Sequence, residues 1–272
     1  LTKDHRVMVE RPDALLRGIE ILHTILGAEE SIIGVELNKV DAIEVLRQRI
    51  GADQSIRVVP LRVKYPQGDS KMMIKSLLDI EVPAGLHAAD LGIIMNNVST
   101  IAAISDYFET GAPYIDRRVT VAGPGIEYPA NLMVPLGTPV REVLRFCGGL
   151  KEETREVLMG GPMMGTPIAS LDAPIIKTSS GVLAFTEVET ARPREYPCIR
   201  CGRCVEACPY FLNPSRLAQL ARARMYDEMK KFQLAECVEC GSCTYSCPSG
   251  IPIVQLIRSA KSSLRNKKGR RS

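Results

Sequence analysis

The sequence predicts an α/β protein in three parts. Residues 1–112 form an α/β layer, 113–190 a small β-grasp domain, and 191–265 a helical domain organised by cysteines, with a basic tail at 266–272. Three observations carry that reading. Strand-length apolar runs alternate with segments of helical apolar spacing up to Gly111. Short β-like runs broken by Gly-Pro turns then surround one helix. Finally, eight of the nine cysteines fall within residues 198–247.

The first part opens on LTKDHR, which reads as the middle of a fold. The chain starts at Leu1 and not at Met, so a fragment, or a chain that has lost its beginning, is expected. RPDALLRGIEILHTIL (11–26) has helical apolar spacing, with Pro12 suited to a first helical turn. SIIGVEL (31–37) reads as a strand, VDAIEVLRQRI (40–50) as a helix and SIRVVPLRV (55–63) as a second strand. A loop, KYPQGDSK (64–71), leads into the helix MMIKSLLDI. ADLGIIM (89–95) reads as a third strand, and STIAAISDYFETG (99–111) as a helix ending at Gly111. Strands alternating with helices predict a parallel sheet.

The β-grasp reading rests on DRRVTVAGPGIEYPANLMVPLGTPVREVLRFCGGL, with a helix at 138–147. The stretches 159–168 and 175–185 complete its sheet. Cys147, the ninth cysteine, has no partner at ligand spacing and is expected to be a buried structural thiol.

The cysteine region carries the chemistry. It reads C-I-R-C-G-R-C-V-E-A-C-P from Cys198 and C-V-E-C-G-S-C-T-Y-S-C-P from Cys237. Both are C-x₂-C-x₂-C-x₃-C-P, the spacing for a pair of [4Fe–4S] clusters in which the fourth cysteine of each run serves the other cluster. Cys198, Cys201, Cys204 and Cys247 are assigned to one cluster, and Cys237, Cys240, Cys243 and Cys208 to the second. A zinc ribbon would leave two cysteines of each run unexplained, and disulfides need an oxidising compartment that nothing here announces. Gly202 and Gly241 stand at the same place in each run, where the backbone approaches the inorganic core. SRLAQLARARMYDEMKKF (215–232) reads as one amphipathic helix between the runs, and IPIVQLIRSAKSSLR (251–265) as a terminal helix.

Composition narrows the partners. Hydrophobic residues make up 45% and charged residues 24% of the chain, an ordinary globular balance. No apolar stretch reaches the roughly 20 residues a bilayer requires, and no secretory leader is legible. Seven of the 35 basic residues lie in 251–272, which holds no acidic residue, leaving 28 against 31 acidic residues elsewhere. With so few aromatics, nucleic acid is not expected as a partner. The basic end suits a solvated tail, an anionic lipid surface or an acidic protein partner.

Single-electron clusters need a two-electron partner to reach a metabolite, and two stretches suggest a flavin. In GIIMNNVSTIAAI, Asn96 and Asn97 precede a helix whose N-terminus offers N–H groups to a phosphate. In the loop from Tyr65 to Lys71, Gly68 admits close approach of the backbone to a ring, Tyr65 can pack on it, and Asp69 or Lys71 can bond a ribose, amide or phosphate. A plain helix cap and a plain turn are the alternatives.

In this order, these stretches and the duplicated cysteine motif resemble the C subunit of the Rnf (Rsx) complex. That is the peripheral iron–sulfur and flavin component of an ion-translocating ferredoxin:NAD⁺ oxidoreductase. AGPGIEYPANLMVPLGTPV, GGPMMG and CPSGIPIVQLIRSAK carry the same resemblance, which covers essentially the whole chain. The first two-thirds also resembles the flavin subunit of respiratory complex I. The resemblance implies FMN, with Asn96, Asn97 and Thr100 at its phosphate, and NADH, with Tyr65, Gly68 and Asp69 lining flavin and nicotinamide. It implies a soluble-ligand-binding type of β-grasp domain at 114–165. The family's glycine-rich FMN loop and the Asn/Glu motif before the present Leu1 are absent, and Ser70 replaces a second acidic residue. The implied function is electron transfer between NADH, FMN and two clusters, with ferredoxin or another carrier and other membrane subunits as partners, at the cytoplasmic face of the membrane. No catalytic acid or base is expected. A cobalamin reductase-like protein and a nucleotide-free two-cluster wiring module are the rival readings.

Overall fold

A computed structural model describes residues 1–269. They divide into two compact units, the first of residues 1–82 and 87–190, the second of 83–86 and 191 onward.

The first unit begins with helix α1 (Lys3–Glu10), which the polar opening did not announce, and α2 (Pro12–Leu26). Pro12 occupies the first turn of α2, and Gly27, left-handed at φ 65°, closes it by donating its N–H to His23 O. Next come β1 (Ser31–Glu36), α3 (Val40–Ile50) and β2 (Ile56–Leu61). The strands pair in parallel from Ser31↔Ile56 to Glu36↔Leu61. Helix α4 (Ser70–Leu78) and helix α5 (Val98–Thr110) follow. Leu15 and Ile19 of α2, Ile33 and Val35 of β1, Leu46 of α3 and Ile101 of α5 share one core. Gly18 explains how closely α2 and α5 pack: a Cβ there would lie 2.2 Å from the backbone oxygen of Ile101.

The third strand expected at 89–95 is not formed. Ala88–Leu91 is a 3₁₀ turn closed by Gly92 at φ 71°, and the His87 N–H donates to Asp90 Oδ2 over 2.8 Å. The left-handed glycine interrupts the apolar run, and Ile94 beyond it is 57% exposed. Four apolar residues cannot sustain a strand across that reversal.

The rest of the unit is a five-stranded sheet made from β3 (Asp116–Ala122), β4 (Ala130–Pro135), β5 (Thr154–Met159), β6 (Thr166–Pro167) and β7 (Gly181–Thr186), with α6 (Val140–Phe146) and the short α7 (Glu187–Thr190). Its order is β4-β3-β7-β5-β6. β3 and β7 are parallel and the other pairs antiparallel, the arrangement of a β-grasp. Val140, Val143 and Leu144 of α6 pack with Val119, Val121, Val182 and Ala184 of the sheet. Cys147 is 2% exposed in that core, and burial pushes its thiol pKa up, as suits a structural thiol. The boundary drawn at residue 112 lies between α5 and β3, inside this unit. The N–H groups of Thr2 and Lys3 both donate to Thr120 Oγ1 at 3.1 Å, sewing the start of α1 to β3.

The second unit contains α8 (Arg203–Glu206), α9 (Pro214–Arg222), α10 (Tyr226–Lys231), α11 (Ser242–Tyr245) and α12 (Ile253–Gly269). The single helix expected at 215–232 is broken in two. Arg224 is left-handed at φ 55°, and Met225 N–H donates to Leu220 O over 2.9 Å, a Schellman closure. The break lets Leu217 and Leu220 of α9 and Met229 of α10 all face one core with Ile253 and Ile257 of α12. α12 runs past the 265 boundary, and the end of the expected basic tail lies outside the described residues. No helix among the described residues is long and apolar enough to cross a membrane.

Candidate functional site

The two cysteine runs fold as copies of one another. Arg200 and Glu239 are left-handed at φ 57° and 60°, and Gly202 and Gly241 at 80° and 89°. Phe211 and Gly250, each three residues past the fourth cysteine, are left-handed at 52° and 62°. The hydrogen bonds repeat as well. Val205 N–H donates to Gly202 O over 2.8 Å and Thr244 N–H to Gly241 O over 3.0 Å, while Cys208 N–H donates to Val205 O and Cys247 N–H to Thr244 O at 3.1 and 3.2 Å. Each glycine stands before a one-turn helix, α8 or α11, that carries the third cysteine and leads to the fourth.

This backbone sorts the eight thiols into two cavities. One is lined by Cys198, Cys201, Cys204 and Cys247, together with α9 residues such as Arg216. The other is lined by Cys208, Cys237, Cys240 and Cys243 against Leu217, Val254 and Ile257. In each, three cysteines come from one run and the fourth from the other. Burial pushes the Cys204 and Cys237 thiols up, and burial together with Cys237, Cys240 and Cys208 pushes Cys243 up to about 12. Thiols in such surroundings need a metal's positive charge to ionise. Among the described residues no group of three Cys, His, Asp or Glu side chains stands at single-ion spacing, and four thiols drawn from two C-x₂-C-x₂-C-x₃-C-P runs in each cavity are the donor chemistry of a cubane cluster. The donor set therefore fits a [4Fe–4S] cluster in each cavity. Lys261 Nζ donates to Cys237 O and pairs with Glu239, fixing the second loop from α12.

The residues singled out for a flavin lie at two helix starts in the first unit. The Tyr65 loop follows the carboxyl end of β2, where parallel sheets place their ligands. Tyr65 is 49% exposed, a Cβ on Gly68 would meet nothing within 4 Å, and Asp69 caps α4 by accepting from Met72 N–H. Beside them Gln67 is 3% exposed, and its Nε2 has no hydrogen-bond partner. A buried donor left unpaired costs about 1–3 kcal/mol, and a flavin ring carbonyl is the kind of acceptor that satisfies it. At the other start, Asn96 and Asn97 are exposed and Thr100 half-buried. Asn97 caps α5, its Oδ1 accepting from Ser99 N–H over 3.0 Å. Ser99 Oγ donates to Asp4 Oδ1 over 2.7 Å, and Asp4 also receives Lys3 Nζ. The N-terminus of α5 is thus partly served by a carboxylate of α1, with the ammonium of Lys3 beside it. Lys3, Asp4 and Gln67 were not anticipated, and the Ser99 hydroxyl, expected to be offered to a phosphate, donates to Asp4. Only the Lys3-Asp4 pair at a helix start carried a signal, an acid suited to a first turn.

The Nuo51 FMN-binding domain model matches residues 1–106, an SLBB domain model 118–167 and a 4Fe-4S dicluster domain model 196–251. The C subunit of the proton-translocating ferredoxin:NAD(+) oxidoreductase complex of Clostridium ljungdahlii is 46% identical over 266 residues, 97% of this chain and 58% of that protein. The C subunit of the ion-translocating oxidoreductase complex of Rhodobacter capsulatus is 42% identical over 274 residues, 100% of this chain and 52% of that protein. The C subunit of the Na(+)-translocating ferredoxin:NAD(+) oxidoreductase complex of Acetobacterium woodii is 37% identical over 228 residues, covering 84% and 52% respectively. The chain spans about half the length of these relatives.

Proposed function

We propose, for a chain that belongs to the family of C subunits of ion-translocating ferredoxin:NAD⁺ oxidoreductase complexes, that it conducts electrons between a nicotinamide–flavin couple and two [4Fe–4S] clusters. The observation that carries the reading is the sorting of eight cysteines into two cavities of four, each completed by the other run. Cys198, Cys201, Cys204 and Cys247 would hold one cluster, and Cys208, Cys237, Cys240 and Cys243 the other. Gly202 and Gly241 keep the loops tight, while Leu217, Val254 and Ile257 exclude water from the second cavity, a lever on cluster potential.

Tyr65, Gly68 and Asp69 would line flavin and nicotinamide, Gln67 would donate to the ring, and Asn96, Asn97 and Thr100 would face the phosphate. When bound, FMN supplies two-electron exchange with NADH and one-electron exchange with clusters. No side chain need move a proton. The partners in this reading are the other subunits of a membrane complex and ferredoxin or a similar carrier, and the position is peripheral, on the cytoplasmic face of the membrane.

An anaerobic NADH titration of the chain reconstituted with iron, sulfide and FMN tests the reading. Bleaching of flavin and then cluster absorbance is expected. If dithionite reduces the clusters and NADH reduces nothing, the chain is a nucleotide-free wiring module.

A further inference from the structure

Val254, Ile257, Arg258 and Lys261 stand at i, i+3, i+4 and i+7 of α12, so they share one face of the helix. Val254 and Ile257 wall the second cavity. One turn on, Arg258 Nε meets Glu239 Oε2 at 3.1 Å. Lys261 Nζ meets Glu239 Oε1 at 3.2 Å and donates to Cys237 O. Thr244 Oγ1 accepts from Val254 N–H over 2.9 Å and anchors the start of the same face. Glu239 itself lies inside the loop, between Cys237 and Cys240, at φ 60°. The side chains of Glu239, Arg258 and Lys261 are 26%, 26% and 19% exposed. Two cations thus meet one carboxylate and leave a positive charge in excess beside Cys237. Glu236, the acid before that cysteine, is engaged by Gly85 N–H at 2.9 Å. The first loop differs. Arg200 stands at the place of Glu239 and is exposed, as are Cys198 and Cys201, whereas Cys240 and Cys243 are 8% and 6% exposed. Water can screen a charge placed in the first loop; in the second, the protein must supply the compensation.

We propose that Lys261 sets the reduction potential of the second site, its ammonium offsetting the negative charge that an electron adds to a cavity closed to water. Glu239 is the opposing charge, and Arg258 holds it in place. The inference rests on the two-cluster reading and adds which side chains make the sealed site reducible. Reduction brings in one electron, supplied by the flavin of that reading, and transfers no atom. Behind Leu217, Val254 and Ile257 the added charge is costly and the potential is driven down. A cation fixed at the backbone of a ligating cysteine drives it up. Lys261 acts through charge and position, without touching the reacting atoms. That role has a signature which packing alone lacks: removing the cation and removing the carboxylate must shift the potential in opposite directions.

The test uses the full chain reconstituted anaerobically with iron and sulfide, as the parent and as Lys261→Met, Lys261→Arg and Glu239→Gln. Each is titrated with dithionite at controlled potential and followed by EPR, the two signals being told apart by their loss in Cys198→Ala and Cys237→Ala. Lys261→Met is expected to lower the midpoint potential of the second site and Glu239→Gln to raise it. Each should change the ratio of reduced to oxidised centres about tenfold at fixed potential, a shift of about 59 mV for one electron. Lys261→Arg, which keeps the charge, should stay near the parent, and the first site should not move in any variant. Unchanged potentials with both clusters assembled would overturn the proposal and leave the two-cluster reading standing. So would shifts of the same sign in Lys261→Met and Glu239→Gln. Where Lys261→Met fails to hold the second cluster, Glu239→Gln decides, an upward shift supporting the proposal and any other result overturning it. If the parent assembles no second cluster, the proposal and the two-cluster reading fail together.

Discussion

Ser99 donates its hydroxyl to Asp4 over 2.7 Å, tying the first turn of α1 to the first turn of α5 across 95 residues of chain. Burial opposes the charge on Asp4. The Lys3 ammonium and hydrogen bonds from Lys3, Ser99 and Asn97 outweigh burial and hold the carboxyl below the usual range. Lys3 is only 2% exposed with Asp4 as its acceptor, so burial dominates there and lowers the lysine pKa. Removing the acid strands a buried ammonium. Asp4→Ala is expected to cost about 1–3 kcal/mol, less than a fully buried pair because Asp4 keeps contact with solvent. Thermal melts of the variant and the parent check this.

The same pair sets an acid dependence. A carboxyl whose folded pKa is depressed contributes stability above its unfolded value of about 3.9, and loses it as pH falls through the folded value. The gap in melting temperature between the parent and Asp4→Asn should therefore hold from pH 7 to about 5. It should close as pH drops below about 4. A gap that widens on acidification would contradict the sign.

Gly18→Ala tests the packing of α2 on α5. The added Cβ would lie 2.2 Å from a backbone oxygen, which no side-chain rotation relieves. A loss of about 1–3 kcal/mol is expected despite the better helix propensity of alanine. Chemical denaturation followed by far-UV circular dichroism reads it directly.

Gln67→Leu separates a packing role from a ligand role. Its Nε2 has no partner, so replacing the amide by an apolar side chain of similar size should leave the melting temperature unchanged or raise it. FMN affinity, measured by flavin fluorescence quenching, should fall about tenfold with the lost hydrogen bond. Unchanged affinity would remove Gln67 from the flavin loop.

What the sequence made legible was local. Ligand spacing is a short-range constraint, so the cysteine runs and the glycines at 202 and 241 could be read residue by residue. So could the contrast between Arg200 and Glu239, visible as C-I-R-C against C-V-E-C. The break at Arg224 was not legible, because apolar periodicity continues through it and only the Schellman bond from Met225 to Leu220 ends the helix. The apolar run at 89–95 carried the right residues for a strand, and Gly92 turned it aside. The Asp4–Ser99 contact has no periodic signature at all, since it joins two helix starts that only the tertiary fold brings together.

The most direct test of the two-cluster account is to find which cysteines lose the same cluster. Cys198→Ala, Cys208→Ala, Cys237→Ala and Cys247→Ala are each reconstituted anaerobically, reduced and examined by EPR. Cys208→Ala should lose the signal that Cys237→Ala loses, and Cys247→Ala the signal that Cys198→Ala loses, as the two cavities require. If Cys208→Ala instead matches Cys198→Ala, each run holds its own cluster and the crossed arrangement is wrong.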